Sequence, residues 1–296
     1  MNHCCWLRLF LLLLGLMVAG PVAPLWGQLP PLPEAERVSG AVVLVADART
    51  GKLLGGVRAD QAFQRTYFPG SIFKIAIALA WMQRGGFNSQ TEFTCTGHDT
   101  VAGTPVRCWL GTGHGKVRFV PAFAGSCNLY FQHIAAGISH PELLRAAKQL
   151  GMIGPCNFPG EPIGAPAVPH INVQNLLGES FTVSPAQMLR LALTLATRGR
   201  LAIAPFQLSG PRYRPLYQGL RQCVQKGTGK GAWHSAFTVS GKTGTVYRDG
   251  TRSRTAGWFV GFAPSDRPRY AVVVLNPNGT GSDAAGIAGA VFGRLM

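Results

Sequence analysis

Acidic residues are scarce in this sequence. Of its 296 residues, 12 are Asp or Glu and 28 are Lys or Arg, which gives a formal net charge of +16. The basic residues are scattered, and no basic helix with paired Cys and His is present, so the charge does not indicate a nucleic-acid-binding protein. A cationic body favours contact with anionic membrane or polymer surfaces, and a merely soluble basic surface explains the charge equally well.

The sequence also lacks the ligand spacing of common metal sites. None of its seven histidines has another histidine four residues away or a Cys at ligand spacing, which predicts that no metal and no other cofactor is bound. The cysteines after the N-terminal segment are odd in number and cannot all pair within the chain: Cys95, Cys108, Cys127, Cys156 and Cys223. Cys95 and Cys108 flank a short loop with Gly and Pro, which makes them candidates for a disulfide.

Charge is absent from residues 9–26, a leucine-rich run that follows Arg8. This pattern is typical of a secretory signal, so residues 1–27 are predicted to be either a signal peptide cleaved near Gly27 or an uncleaved membrane anchor. Both alternatives predict an exported body, periplasmic or on the extracytoplasmic face of the cell membrane and facing the anionic cell envelope. The anchor alternative adds membrane association through residues 9–26. Residues 28–38 read as a Pro-rich tether, and residues 39–296 as one domain.

Strand patterns lie at both ends of that domain, with helical patterns between them. The predicted strands are 41–47, 52–57, 237–240, 254–262 and 269–275, and the predicted helices after the first are 120–138, 141–150, 183–198 and 282–295. This order predicts an α/β protein of the α+β type. Its strands from both termini form one antiparallel five-stranded sheet flanked by helices, and the middle helices form a second, helical lobe.

The first helical pattern begins at Ser71 and ends at the Gly85-Gly86 stop. Its residues are apolar on every side except for Ser71 and Lys74, which predicts a helix buried at the centre of the domain. Three residues apart, these two side chains share one face of the first turn. A serine needs an adjacent base to act as a nucleophile, and desolvation would depress the pKa of the lysine enough to supply one. The alternative is a capping serine beside a lysine whose head reaches water.

Two further motifs carry polar chemistry. Ser126-Cys127-Asn128 precedes a helical run and offers a hydroxyl that can relay a proton and an amide that can hold a peptide, although a helix cap explains it as well. Lys242-Thr243-Gly244-Thr245 falls on a C-terminal strand. There Lys242 supplies positive charge for a carboxylate, and Gly244 lets a ligand backbone approach the strand edge.

Ser-x-x-Lys, Ser-x-Asn and Lys-Thr-Gly in this order resemble the motif set of the penicillin-binding proteins and serine β-lactamases. The likeness to the transpeptidase domain of the penicillin-binding proteins covers nearly all of residues 40–296. Its further blocks are Gly151 with Phe158-Pro159-Gly160-Glu161-x-x-Gly164, Gly178-Glu179, Val183-Ser184-Pro185-Ala186-Gln187-Met188 and Trp258-Phe259-Val260-Gly261-Phe262-Ala263-Pro264.

The resemblance implies a role for each motif residue. Ser71 would attack the penultimate D-Ala carbonyl of a D-Ala-D-Ala stem peptide of peptidoglycan, Lys74 would accept its proton, and Ser126 with Lys242 would protonate the leaving amine. The substrate would be held by the amide of Asn128 and by the Thr243-Gly244-Thr245 segment, with Thr243 and Thr245 on its terminal carboxylate. The backbone N–H groups of Ser71 and Thr245 would form the oxyanion hole. β-Lactams would acylate the same serine.

The resemblance leaves other functions open. One type of serine β-lactamase uses a Glu-x-x-x-Asn element, and after Glu161 this chain has Ala165 at the asparagine position. Another type has Ser-x-Val as its second motif, whereas this chain has Asn128 at the valine position. A non-enzymatic β-lactam sensor is a further alternative. Glu179 stands where the family often has glutamine. Between D,D-transpeptidase and D,D-carboxypeptidase activity, the Ser126 block favours the transpeptidases, and the acceptor is not identified.

Overall fold

The computed structural model describes residues 29–155, 158, 181–247 and 253–296. The predicted signal or anchor segment, Cys156, Gly178-Glu179 and the glycine-rich segment beyond Phe158 lie outside these residues. In the described part of the chain, no helix is both long and apolar enough to cross a membrane.

The described strands are β1 (Val42–Asp47), β2 (Leu53–Val57), β3 (Phe93–Cys95), β4 (His98–Val101), β5 (Thr104–Arg107), β6 (Gly115–Val117), β7 (Ser240–Tyr247), β8 (Thr255–Ala263) and β9 (Tyr270–Asn276). The described α-helices are α1 (Pro33–Glu36), α2 (Lys74–Arg84), α3 (Phe119–Ala124), α4 (Asn128–Ala136), α5 (His140–Gln149), α6 (Pro185–Ala196), α7 (Arg214–Lys226) and α8 (Gly281–Leu295).

One antiparallel five-stranded sheet, in the order β2-β1-β9-β8-β7, organises the chain. Its strands come from both ends of the domain, which confirms the predicted fold class. In the register, Val43 of β1 lies opposite Val274 of β9 and Val57 of β2. The first five residues of β1 are all buried, because helices cover both faces of the sheet.

Each face of the sheet has its own hydrophobic core. Helix α8 packs on β8 and β9 on one face, together with the short helix α1. Leu32 and Ala35 are buried there, so part of the predicted tether packs on the body. Helix α6 covers β1, β8 and β9 on the other face, and α2 packs against α4 and α5. As predicted, α2 is buried: every residue from Lys74 to Ala80 is at most 2% exposed.

Two predicted boundaries were wrong, and one helix was not predicted. Residues 120–138 form two helices, α3 and α4, because Ser126 adopts a left-handed backbone conformation (φ 55°) that interrupts the helical path. The strand predicted at 237–240 runs instead from Ser240 to Tyr247, and the Lys-Thr-Gly motif lies on it as predicted. Helix α7 was not predicted, although its buried Leu216, Leu220 and Cys223 follow the helical period and pack toward α3 and β7.

Candidate active site

Ser71 lies in a 3-10 turn, Gly70–Phe73, that leads directly into α2. The turn packs against β7 and requires glycine at position 70, where φ is +53°. A Cβ on Gly70 would come within 2.5 Å of Val246 Cγ1 and 3.1 Å of the Thr245 carbonyl oxygen. Trp258 of β8 donates its indole N–H to the Phe68 carbonyl at 2.9 Å and fixes the entry to the turn. The nucleophile candidate is therefore held next to the Lys-Thr-Gly strand.

Lys74 projects from the start of α2 and is fully buried. Its ammonium donates to the Ser126 carbonyl and to Asn128 Oδ1, both at 2.7 Å, and to Ser126 Oγ at 3.2 Å. Burial, reinforced by the charge of Lys242, holds the pKa of Lys74 well below its ordinary value. A lysine whose pKa is depressed by burial is a better general base than an exposed one.

Ser126 connects the two buried lysines. Its hydroxyl lies 3.2 Å from Lys74 Nζ and 3.0 Å from Lys242 Nζ, and its side chain is almost fully buried. Lys242 also donates to the Thr243 carbonyl at 2.9 Å, and burial lowers its pKa. The positive φ of Ser126 costs roughly 1–3 kcal/mol for a non-glycine residue and turns the hydroxyl between the two amines. The arrangement can relay a proton between the lysines.

Among the described residues, no side chain hydrogen-bonds the Ser71 hydroxyl, so its pairing with Lys74 is not formed in this state. Ser71 is only partly buried, which leaves the hydroxyl accessible to a substrate. The Asn128 amide is engaged by the protein: Oδ1 accepts from Lys74, and Nδ2 donates to the Arg107 carbonyl at 3.2 Å. The structure thus groups Lys74, Ser126, Asn128 and Lys242 in one hydrogen-bonded network.

The Lys-Thr-Gly residues lie on β7, an edge strand. Gly244 is needed because a Cβ there would approach the Pro69 carbonyl oxygen to 2.8 Å. Thr245 is exposed, and its hydroxyl accepts from the backbone N–H of Gly281 at 2.8 Å, at the start of α8. Thr243 is buried beside Thr228, 2.5 Å away between hydroxyl oxygens. The positive end of α8 therefore lies beside the threonines, where it favours an anionic group.

A second cluster lies behind Ser126 and was missed by the sequence reasoning. Cys95, Cys108, His114 and Cys127 place their ligand-type atoms within 4.8 Å of one another. The predicted Cys95–Cys108 disulfide is wrong in this structure, because both cysteines are free thiols. A hydrogen bond from Cys127 lowers the pKa of the Cys108 thiol, and the hydrogen bond to Cys108 raises the pKa of His114 to about 9.

The expectation that no metal is bound is not tested by this structure, and this cluster offers four side chains of metal-ligating type. The expectation rested on closely spaced ligand pairs, whereas this cluster is assembled from four separate segments with 12, 5 and 12 residues between successive members. The signal that could have indicated it is the position of Cys127 inside the Ser-x-Asn motif, together with two cysteines and a histidine in the loop-rich region before it.

The sheet with helices on both faces, and the Ser126 hydroxyl between two buried lysines beside the Ser71 turn, are features typical of serine acyl-transfer domains. The family model for the penicillin binding protein transpeptidase domain matches residues 41–296, and the chain belongs to that family.

Two curated proteins and one solved structure show the degree of likeness. Stage V sporulation protein D of Bacillus subtilis is 26% identical over 273 residues, covering 78% of this chain and 42% of that protein. Peptidoglycan D,D-transpeptidase MrdA of Acinetobacter baumannii is 25% identical over 287 residues, covering 79% of this chain and 43% of that protein. The D,D-transpeptidase domain of a peptidoglycan glycosyltransferase from Eggerthella lenta superposes with a TM-score of 0.75 at 20% identity, covering 89% of this chain and 80% of that one. The chain therefore spans less than half the length of these two curated relatives.

Proposed function

We propose that this chain is an exported serine D,D-transpeptidase that cross-links peptidoglycan stem peptides through an acyl-enzyme on Ser71, and that β-lactams acylate the same residue. The observation that carries the proposal is the Ser126 hydroxyl held between Lys74 and Lys242 next to the Ser71 turn. Membership of the transpeptidase family and the printed name of the Acinetobacter relative support it.

The site suits acyl transfer step by step. The buried Lys74 takes the Ser71 proton as the hydroxyl oxygen attacks the peptide carbonyl carbon. The tetrahedral oxyanion is stabilised by the backbone N–H groups of Ser71 and Thr245. Collapse of this intermediate breaks the C–N bond, and a proton passes through Ser126 to the departing amine of D-Ala. An acceptor amine then attacks the Ser71 ester and releases the cross-linked peptide.

Substrate binding is supported by β7 and α8. An edge strand offers unpaired backbone groups to an extended peptide, and β7 presents such an edge beside Ser71. The terminal carboxylate of D-Ala would then lie at Thr243 and Thr245, near the N-terminus of α8. Asn128 would exchange part of its hydrogen bonding with Lys74 and Arg107 for the acyl-side amide of the stem peptide.

Location outside the cytoplasm is part of the proposal. It is supported by the uncharged run of residues 9–26 and by the net charge of +16, which suits an anionic envelope. A fusion of residues 1–40 to a reporter enzyme active only after export tests it. Reporter activity is expected, and its absence contradicts the export proposal while leaving the chemistry of Ser71 untouched.

The chemistry is tested with benzylpenicillin and intact-mass measurement. The protein should gain one penicilloyl group, mapped to Ser71 by peptide analysis and absent from the Ser71→Ala variant. Retention of the adduct for hours supports a transpeptidase, whereas its loss with continued penicillin turnover favours a β-lactamase. No adduct on the unmodified chain would refute the proposal. A D-Ala-D-Ala peptide supplied with an amine acceptor should then release D-Ala and yield the acceptor adduct, while release without adduct indicates a carboxypeptidase.

A further inference from the structure

Four side chains meet behind the Ser126–Asn128 segment, and we propose that they bind one Zn²⁺ in a Cys3His site that goes beyond the acyl-transfer function. Each contributes one atom, the Sγ of Cys95, Cys108 and Cys127 and a ring nitrogen of His114, and all lie within 4.8 Å of one another. Three cysteine sulfurs and one imidazole are a ligand set typical of structural zinc.

The spacing of the ligand atoms approaches a tetrahedron around zinc. With Zn–S of about 2.3 Å and Zn–N of about 2.0 Å, neighbouring ligand atoms should be roughly 3.5–3.8 Å apart. His114 Nδ1 lies 3.3 Å from Cys108 Sγ and 3.7 Å from Cys95 Sγ, close to that range. The longest separation of 4.8 Å would have to shrink by about 1 Å, which side-chain rotation can supply.

The histidine is oriented as a ligand. Its Nε2 lies 3.1 Å from the Gly125 carbonyl oxygen, which can only accept a hydrogen bond, so Nε2 carries the proton. In the neutral ring, Nδ1 then has its lone pair free and directed at the sulfurs. A backbone carbonyl that holds the remote N–H is the usual support of a metal-bound histidine. Trp109 donates to the same carbonyl at 3.0 Å and its ring packs edge-on against His114.

The sulfurs are arranged to carry negative charge. The backbone N–H of Asn128 donates to Cys108 Sγ at 3.4 Å, and that of Tyr130 donates to Cys127 Sγ at 3.5 Å. Such bonds stabilise a thiolate without supplying a counter-charge. All three cysteines are at most 7% exposed. Soft sulfur ligands select zinc over Ca²⁺ or Mg²⁺, which require oxygen ligands.

The ligands link segments that have little hydrophobic core of their own. Cys95 ends β3, Cys108 follows β5 and His114 precedes β6, and these strands are only three or four residues long and largely exposed. Cys127 lies between Ser126 and Asn128 in the break between α3 and α4. Strand β3 pairs with β6 and β4 pairs with β5, so these strands form two small sheets. A zinc ion would therefore cross-link the two small sheets to the segment that carries the second motif.

Metal content tests the site directly. The full chain, purified without a metal-affinity step, incubated with Zn²⁺ and gel-filtered, should retain about one zinc per chain by mass spectrometry of the metal. Cys95→Ala and His114→Ala should each lose it. Cys223→Ala is the matched control, because Cys223 is an equally buried free thiol outside the cluster, and it should keep the zinc. Cobalt in place of zinc should show visible bands of a tetrahedral ion with sulfur-to-metal charge transfer.

Three results would overturn the proposal. These are an unmodified chain that retains no zinc, a disulfide between two of the three clustered cysteines in the zinc-treated protein, and equal zinc in the cluster variants and the control. If the variants do not fold, the cobalt spectrum of the unmodified chain decides, since an octahedral spectrum without sulfur charge transfer contradicts the site. None of these measurements depends on acylation, so they stand apart from the test of the transpeptidase function.

Discussion

Replacing Lys74 by methionine should abolish the base and keep the fold. The ammonium is fully buried, and its nearest contacts are the Ser126 carbonyl and Asn128 Oδ1, both at 2.7 Å. Loss of a general base slows a reaction by about 10²–10⁴-fold. We therefore expect the rate of acylation by benzylpenicillin to fall at least a hundredfold at pH 7.5.

The stability of this variant should change little. Burying an ammonium costs several kcal/mol, and two short charge-assisted hydrogen bonds return about 1.5–3 kcal/mol each. Methionine removes both contributions and leaves two neutral oxygens without a donor, at about 1–3 kcal/mol each. These contributions largely cancel, so the free energy of unfolding should stay within about 2 kcal/mol of the unmodified protein.

The effect on stability should depend on pH. The pKa of Lys74 is lower in the folded chain than its ordinary value of 10.5, so between these two values the unfolded chain binds more protons and stability rises with pH. Any advantage of methionine over lysine should therefore be greatest below the folded pKa and shrink toward pH 10.5. Denaturant unfolding at several pH values measures it.

The assay compares acylation rates by intact mass, with Lys52→Met as the control because Lys52 is exposed in the β1–β2 turn. Lys52→Met should acylate at the unmodified rate. Acylation of Lys74→Met within tenfold of that rate, with the adduct on Ser71, would refute the assignment of Lys74 as the base.

Three further outcomes are expected. Lys242→Gln removes a charge that depresses the pKa of Lys74, so the rise of the acylation rate with pH should occur at higher pH. An unchanged pH profile would contradict this electrostatic effect of Lys242 on Lys74. Gly70→Ala should destabilise the protein more than Gly86→Ala in thermal unfolding, by about 1–3 kcal/mol. Both glycines have positive φ, but only a Cβ at position 70 would contact neighbouring atoms, so equal losses of stability in the two variants would refute this explanation. Chelation of zinc should lower both the Tm and the acylation rate, because it loosens the Ser126 segment. Equal acylation rates in the zinc-loaded and zinc-free protein would show that the metal does not affect the acyl-transfer site.

Local sequence patterns were enough to predict much of the fold. Strand β1 with its hairpin partner and the buried helix after Ser71 follow from apolar periodicity and glycine breaks, because each is decided within a dozen residues. The antiparallel five-stranded sheet from both termini was confirmed. Strand β7 was placed too early because its glycines and lysine do not look like a strand. It forms a strand because it pairs with β8 and packs on the Ser71 turn.

For the candidate site too, some features were predicted from local motifs and others are decided only by the tertiary structure. The sequence predicted Ser71, Lys74, Ser126 and Lys242 as site residues, because each lies in a short motif that resembles one of the penicillin-binding proteins. Only the tertiary structure decided that the hydroxyl of Ser126 lies between the two amines, 116 positions from Lys242, because that contact depends on how the lobe packs against the sheet. The Cys3His cluster has the same origin. Its four ligands lie in separate loops between residues 95 and 127, and they meet because the short strands and the left-handed break at Ser126 bring these loops together.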